Sequence, residues 1–149
     1  MVASRAQCDI MGAETLIVAR TDAEAATLIT TNIDPRDHAF ILGSTNAKLR
    51  ALNDLMHEAE EKGVQGEELE KIEKEWLKQA GIKLFDEAVV EVIRGQGLGE
   101  GKVNEYLTGA KGKSNLDARA LAKKITGKDI YWNWDAPRSR EGKKVFGFS

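Results

Sequence analysis

Residues Thr15-Leu16-Ile17-Val18-Ala19-Arg20-Thr21-Asp22 form an apolar run of strand length that ends abruptly in a cation, a hydroxyl and a carboxylate. A run without polar alternation is the pattern of a strand covered on both faces, the habit of parallel sheets in α/β proteins. In barrels of parallel strands, ligands sit at the carboxyl ends of the strands, the position Arg20 and Asp22 would take. The same pattern also suits a core strand whose last residues simply reach solvent. Around this run, a short helix through about Met11 is expected to close at Gly12. Residues 23–29 are expected to make another helical turn or two before the Asp34-Pro35 break. Helix, strand, helix is the order of one unit of a βα barrel.

After Gly43 the character shifts. Leu49, Leu52, Leu55, Met56 and Ala59 recur at three- and four-residue steps, the pattern of an amphipathic helix, which Gly63 would stop. Leu69, Ile72, Trp76 and Ala80 repeat the pattern before Gly81, and Leu84, Phe85, Ala88, Val89, Val92 and Ile93 repeat it before Gly95. A fourth helix is expected around residues 103–107 and a fifth around 116–125, with Ser114 and Asp117 spaced as an N-terminal capping pair. The apolar positions account for themselves as core, and the lysines and glutamates fall mostly on the opposite, solvated faces. The expected organisation is a barrel segment over residues 1–45, a helical insertion over 46–128 and a return to the barrel over 129–149.

Charged residues at 31% and hydrophobic residues at 42% place the chain among globular rather than disordered proteins. One cysteine rules out an internal disulfide framework and fits a reducing compartment. Cys8, on the helix leading into the strand, reads as a small packed side chain. A formal charge of −2 offers no broad attraction for nucleic acid or anionic lipid. No apolar stretch approaches the roughly 20 residues of a membrane-spanning helix, the start lacks the order of a secretory signal, and Phe146-Gly147-Phe148-Ser149 carries no peroxisomal Ser-Lys-Leu address. The expected partners therefore include neither nucleic acid nor membrane.

Several short motifs weaken when their spacing is checked. Gly112-Lys113-Ser114 ends like a phosphate-binding loop, but Leu107 occupies the required earlier glycine position and the segment follows a helix rather than a strand. In the glycine-rich run from Gly95 to Gly101, Glu100 stands where a dinucleotide fingerprint needs its last glycine, so a flexible connection is the better reading. Asp34, Asp37 and His38 could be imagined as metal ligands, but in a proline-broken loop they read first as surface or capping groups. Tyr131, Trp132 and Trp134 could stack bases, yet without an organised basic groove they read as core or interface packing.

Three segments together carry a family resemblance. They are Ser4-Arg5-Ala6-Gln7-Cys8-Asp9-Ile10-Met11-Gly12; the strand continuing as Ala23-Glu24-Ala25-Ala26-Thr27-Leu28-Ile29-Thr30; and Asn32-Ile33-Asp34-Pro35-Arg36-Asp37-His38-Ala39-Phe40-Ile41-Leu42-Gly43. With the return at Ile130-Tyr131-Trp132-Asn133-Trp134-Asp135-Ala136-Pro137-Arg138-Ser139-Arg140-Glu141-Gly142, the chain resembles isocitrate lyase in its eukaryotic, especially fungal, form. The family's Lys-Lys-Cys-Gly-His and Asn-Cys-Ser-Pro-Ser segments do not occur here, so the chain is expected to be an internal piece of the enzyme, and Cys8 is not its catalytic cysteine.

The resemblance implies an α/β fold, a partial (β/α)8 barrel with a mainly α-helical insertion. It implies cleavage of isocitrate to glyoxylate and succinate in the glyoxylate cycle, with Mg2+ held by ligands absent from this chain. The complete family enzyme is implied to be a homotetramer acting on a small tricarboxylate. Its implied place is the glyoxysome, peroxisome or cytoplasm, or the mitochondrion if the substrate is 2-methylisocitrate. Arg20 matches the family's substrate-binding arginine, whose planar fork grips a carboxylate through two charge-assisted hydrogen bonds. Asp22 is expected to orient Arg20 or cap the following helix. Arg138, Arg140 and Glu141 lie in a family-like motif that is expected to organise the barrel mouth through ion pairs. From Lys143 onward the tail departs from the family pattern. A fragment of 2-methylisocitrate lyase and a non-catalytic helical interaction module are the alternative readings.

Overall fold

The computed structural model describes residues 2–18, 28–29, 31–139 and 142–144. These are mainly helical. Helix α1 spans Val2–Ile10; α2, Leu52–Glu61; α3, Glu67–Ala80; α4, Phe85–Gly95; α5, Glu100–Ala110; and α6, Asn115–Thr126. The strands β1 (Leu28–Ile29), β2 (Arg138–Ser139) and β3 (Gly142–Lys144) form one small sheet in the order β1-β3-β2.

The five central helices lie where the apolar periodicity predicts them, and their ends follow from local chemistry. Ser114 Oγ accepts from Asp117 N at 3.1 Å to start α6, and Gly127, at φ +70°, closes it in the left-handed conformation. Three glutamates in the first turn of α3 and Lys78 in its last complement the helix dipole. The supposed flexible connection is a short turn between α4 and α5, bridged by Arg94 and Glu100 at 2.7 Å.

Two apolar clusters result. The larger joins Phe85, Ala88, Val89 and Ile93 of α4 to Val103 and Tyr106 of α5, Ala118 and Ala122 of α6, and also Ile41 and Trp132 from outside the helices. Small residues bring α5 and α6 together: a Cβ on Gly109 would stand 2.8 Å from Leu121 Cδ2. The smaller cluster packs Leu52 of α2 against Trp76 and Ala80 of α3, with Ala136 from the return segment. Each fully buried aliphatic side chain here, such as Ile93 or Leu52, contributes about 1.5–3 kcal/mol.

The expected buried parallel strand is corrected in its described half. Residues 15–18 pair with no strand among the described residues, and Leu16 and Val18 are 87% and 83% exposed. A strand is made by its partners, and an apolar run without them stays extended and open. The remainder, 19–22, lies outside the described residues, as does 23–27 of the expected second helix. Its last two residues are instead strand β1, paired antiparallel to β3 with Leu28 opposite Lys144 and Ile29 opposite Lys143. The observed sheet is therefore antiparallel, with Gly142–Lys144 as its central strand. Cys8 is also corrected: it is half-buried on α1, a helix with no buried residue, because no described element covers α1 closely enough to enclose it.

Two outcomes test this packing. A Cβ at position 43 would fall 2.5 Å from Trp132 Cε2, so Gly43→Ala should destabilise by about 1–3 kcal/mol through overpacking, read as a lower urea midpoint; an unchanged midpoint would contradict the contact. Tyr106, fully buried, donates its hydroxyl to Asp86 Oδ1 at 2.6 Å. Burial, reinforced by that hydrogen bond, raises its pKa above the ordinary tyrosine value. Tyr106→Phe should cost about 1–2 kcal/mol. Unfolded tyrosine ionises near pH 10 while the buried one holds its proton. The stability advantage of the natural chain over Tyr106→Phe should therefore be full below that pH and shrink above it, as paired urea titrations would register.

Candidate functional site

Two of the segments that carry the family resemblance, the one running through Leu28 and Ile29 and the one ending at Gly142, meet at the small sheet. β3 lies between β1, which begins eight residues after Arg20, and β2, which carries Arg138 opposite Lys143. Arg138 N donates to Asp135 O at 3.0 Å, so the turn before β2 is closed by backbone bonds. Arg20, Asp22, Arg140 and Glu141 lie outside the described residues. What is visible is the frame on either side of them.

The return segment is fixed by its tryptophans. Trp132 is buried, donates Nε1–H to Lys83 O at 2.8 Å, and meets the Phe85 ring edge-on at 5.5 Å. Trp134 is partly buried against the same cluster, whereas Tyr131 is exposed. Core packing is therefore the observed role of Trp132 and Trp134.

Arg119 is the residue that pattern reading missed. Its guanidinium lies over the rings of Phe85 and Trp132, 5.0 and 5.7 Å from their centres, and donates to Trp132 O at 2.5 Å and Asn115 Oδ1 at 2.9 Å. Burial lowers its pKa from the ordinary arginine value, but the aromatic faces and carbonyls compensate the charge. Read by sequence alone, it belongs with the solvated cations of α6. The available signal was its position four residues after Asn115, on the side of α6 that also carries Ala118 and Ala122.

The loop expected to cap does cap. Asp34 begins a 3-10 helix over Pro35–Ala39, accepting from Arg36 N at 2.9 Å and from the Arg36 guanidinium at 2.6 Å. These bonds lower its pKa to about 2. His38 Nε2 lies 2.7 Å from Asn32 O; a carbonyl only accepts, so that nitrogen carries the proton. With Asp34 committed to Arg36, the trio does not assemble as a ligand set. Among the described residues no group of three or more His, Cys, Asp or Glu side chains is placed to hold a metal ion. Among them, too, no helix is long and apolar enough to cross a membrane.

Residues 1–147 match the isocitrate lyase family. Isocitrate lyase of Pinus taeda is 44% identical over 153 aligned residues, covering 95% of this chain and 26% of the pine protein. The Saccharomyces cerevisiae isocitrate lyase is 41% identical, with 95% and 26% covered. The mitochondrial 2-methylisocitrate lyase of Hypocrea atroviridis is 39% identical, with 94% and 26% covered. The chain thus spans about a quarter of the length of these relatives. With both flanks of the helical region and the region itself inside one continuous match, the chain belongs to the isocitrate lyase family.

Proposed function

We propose that this chain is a segment of an isocitrate lyase whose complete form cleaves isocitrate to glyoxylate and succinate as a homotetramer. The observation that carries the reading is the family match over residues 1–147, continuous through the segment that holds Arg20. In this reading residues 1–45 and 129–149 are pieces of a (β/α)8 barrel and residues 46–128 are a helical insertion between them.

Cleaving the carbon–carbon bond requires removal of the hydroxyl proton, stabilisation of the negative charge that develops on substrate oxygens, and protonation of the carbanion that becomes succinate. Arg20 would serve the second need. Its guanidinium presents two parallel donors to a carboxylate and keeps its charge throughout, while Asp22 would hold that fork in orientation. When bound, Mg2+ supplies Lewis-acid stabilisation of the forming glyoxylate carbonyl. Among the described residues no set of three or more His, Cys, Asp or Glu side chains fits it, and on this reading its ligands would come from other parts of the complete enzyme. A 2-methylisocitrate substrate is the second reading, favoured by the similarity to the Hypocrea enzyme; one methyl group is distinguished by pocket shape.

Residues 1–147 grafted in place of the aligned segment of the Saccharomyces cerevisiae enzyme should sustain magnesium-dependent release of glyoxylate from isocitrate, trapped as its phenylhydrazone. Arg20→Lys in that chimera should lower turnover by about 10²-fold or more, the effect of losing one well-placed donor. A folded chimera without turnover, or an Arg20→Lys variant with normal turnover and substrate affinity, would overturn the assignment. The 149-residue chain alone, which contains no Lys-Lys-Cys-Gly-His segment, should release no glyoxylate above a heat-killed control.

A further inference from the structure

Between the 3-10 helix, the start of α4 and the turn joining α5 to α6 lies a cavity of about 210 Å³ that the lyase reading does not use. Phe85 contributes to an apolar floor, and the polar wall comes from His38, Asp86, Lys111, Lys113 and Asn115. Three stretches of chain far apart in sequence thus converge on one small pocket.

The polar groups have a consistent chemistry. Lys111 and Lys113 enter none of the ion pairs formed among the described residues, although most charged neighbours on these helices are paired. Asn115 spends its side-chain oxygen on Arg119 Nε, which leaves the amide NH2 to donate. At the N-terminus of α6 Ser114 Oγ takes the N–H of Asp117, and the full charges available to an anion in this cavity are those of the two lysines. Asp86 adds the opposite requirement. One of its oxygens accepts from Tyr106, and the carboxylate repels a bare anion but welcomes a hydroxyl donor.

Two ammonium groups match the charge of about −2 on a phosphate monoester at neutral pH, and lysine is a common point-charge partner of phosphate. We propose that this cavity binds the phosphate monoester of a small polyol, with the phosphate toward Lys111 and Lys113, a hydroxyl toward Asp86 and the carbon frame on Phe85. This assignment stands apart from the lyase reading, because neither Arg20 nor turnover enters it.

Glycerol 3-phosphate is the probe, titrated into the 149-residue chain at low ionic strength and followed by calorimetry and by amide shifts of residues 38, 86 and 111–115. Saturable binding should weaken at least about tenfold when Lys111 and Lys113 are both changed to glutamine, and at least about tenfold when sulfate, which carries no hydroxyl, replaces the probe. Ala39→Leu, which fills the cavity from the 3-10 helix while keeping both lysines, should abolish it. Circular dichroism would verify that the variants remain folded. No saturation below about 10 mM, or binding that survives the double lysine change, the filled cavity or the exchange to sulfate, would overturn the proposal.

Discussion

The backbone of residues 43–45 is the splint on which both apolar clusters depend. Gly43 exchanges two hydrogen bonds with Lys83, and Ser44 exchanges two with Asn133. Thr45 N and Ser44 Oγ both bind Ala80 O, which terminates α3. One short extended stretch therefore holds the end of α3, the approach to α4 and the return segment at fixed spacing. Its close fit against Trp132 requires a residue without a Cβ at position 43. Leu52 N extends the arrangement by donating to Ala136 O, which draws the smaller cluster onto the same return segment.

Among the described residues, buried polar side chains are secured rather than stranded. The indole of Trp132 reaches Lys83 O, the indole of Trp76 reaches Arg50 O, and the Tyr106 hydroxyl reaches Asp86. Leaving any of these donors unpaired would cost more than the net strength of the bond, because a buried polar group loses its water. Arg119 extends the logic to a charge. It holds the carbonyl of Trp132 while covering the ring of the same residue, so the indole is fixed from its face and its backbone together.

The helices were legible in the sequence because each announces itself locally. Ala118 and Ala122 recur with the helical period, Ser114 sits at the start of α6, and Gly127 closes it; none of these signals needs a distant partner. Strands carry no such self-sufficiency. Thr15 to Val18 has the composition of a buried strand, yet a strand's ladder lies on other strands, and no described strand pairs with it; Thr15 O accepts only the side chain of Arg5 among the hydrogen bonds seen there. Leu28 and Ile29 failed as a helix for the converse reason: residues 142–144 offer them a ladder, which no local reading of 23–29 could reveal. The same division applies to the sites. The capping role of Asp34 was visible because Arg36 is two residues away, whereas the Tyr106–Asp86 bond spans 20 residues and the cavity beside it gathers three separated stretches.

The way the helical region is anchored bears on how it could sit within a larger enzyme. Its larger core is incomplete without Ile41 on one side and Trp132 on the other, residues that precede and follow the five helices. Those two positions lie against the same α4 residue, Phe85, or its cluster, so the chain leaves and re-enters through neighbouring points. An insertion with adjacent ends can be accommodated between two elements of a host fold without forcing them apart. Residues 28–29, 138–139 and 142–144 likewise bring stretches that precede and follow the helices into one sheet. On the proposed lyase reading, the backbone bonds from Gly43 to Lys83 and from Ser44 to Asn133 would hold the two ends of the helical region beside each other where it joins its host.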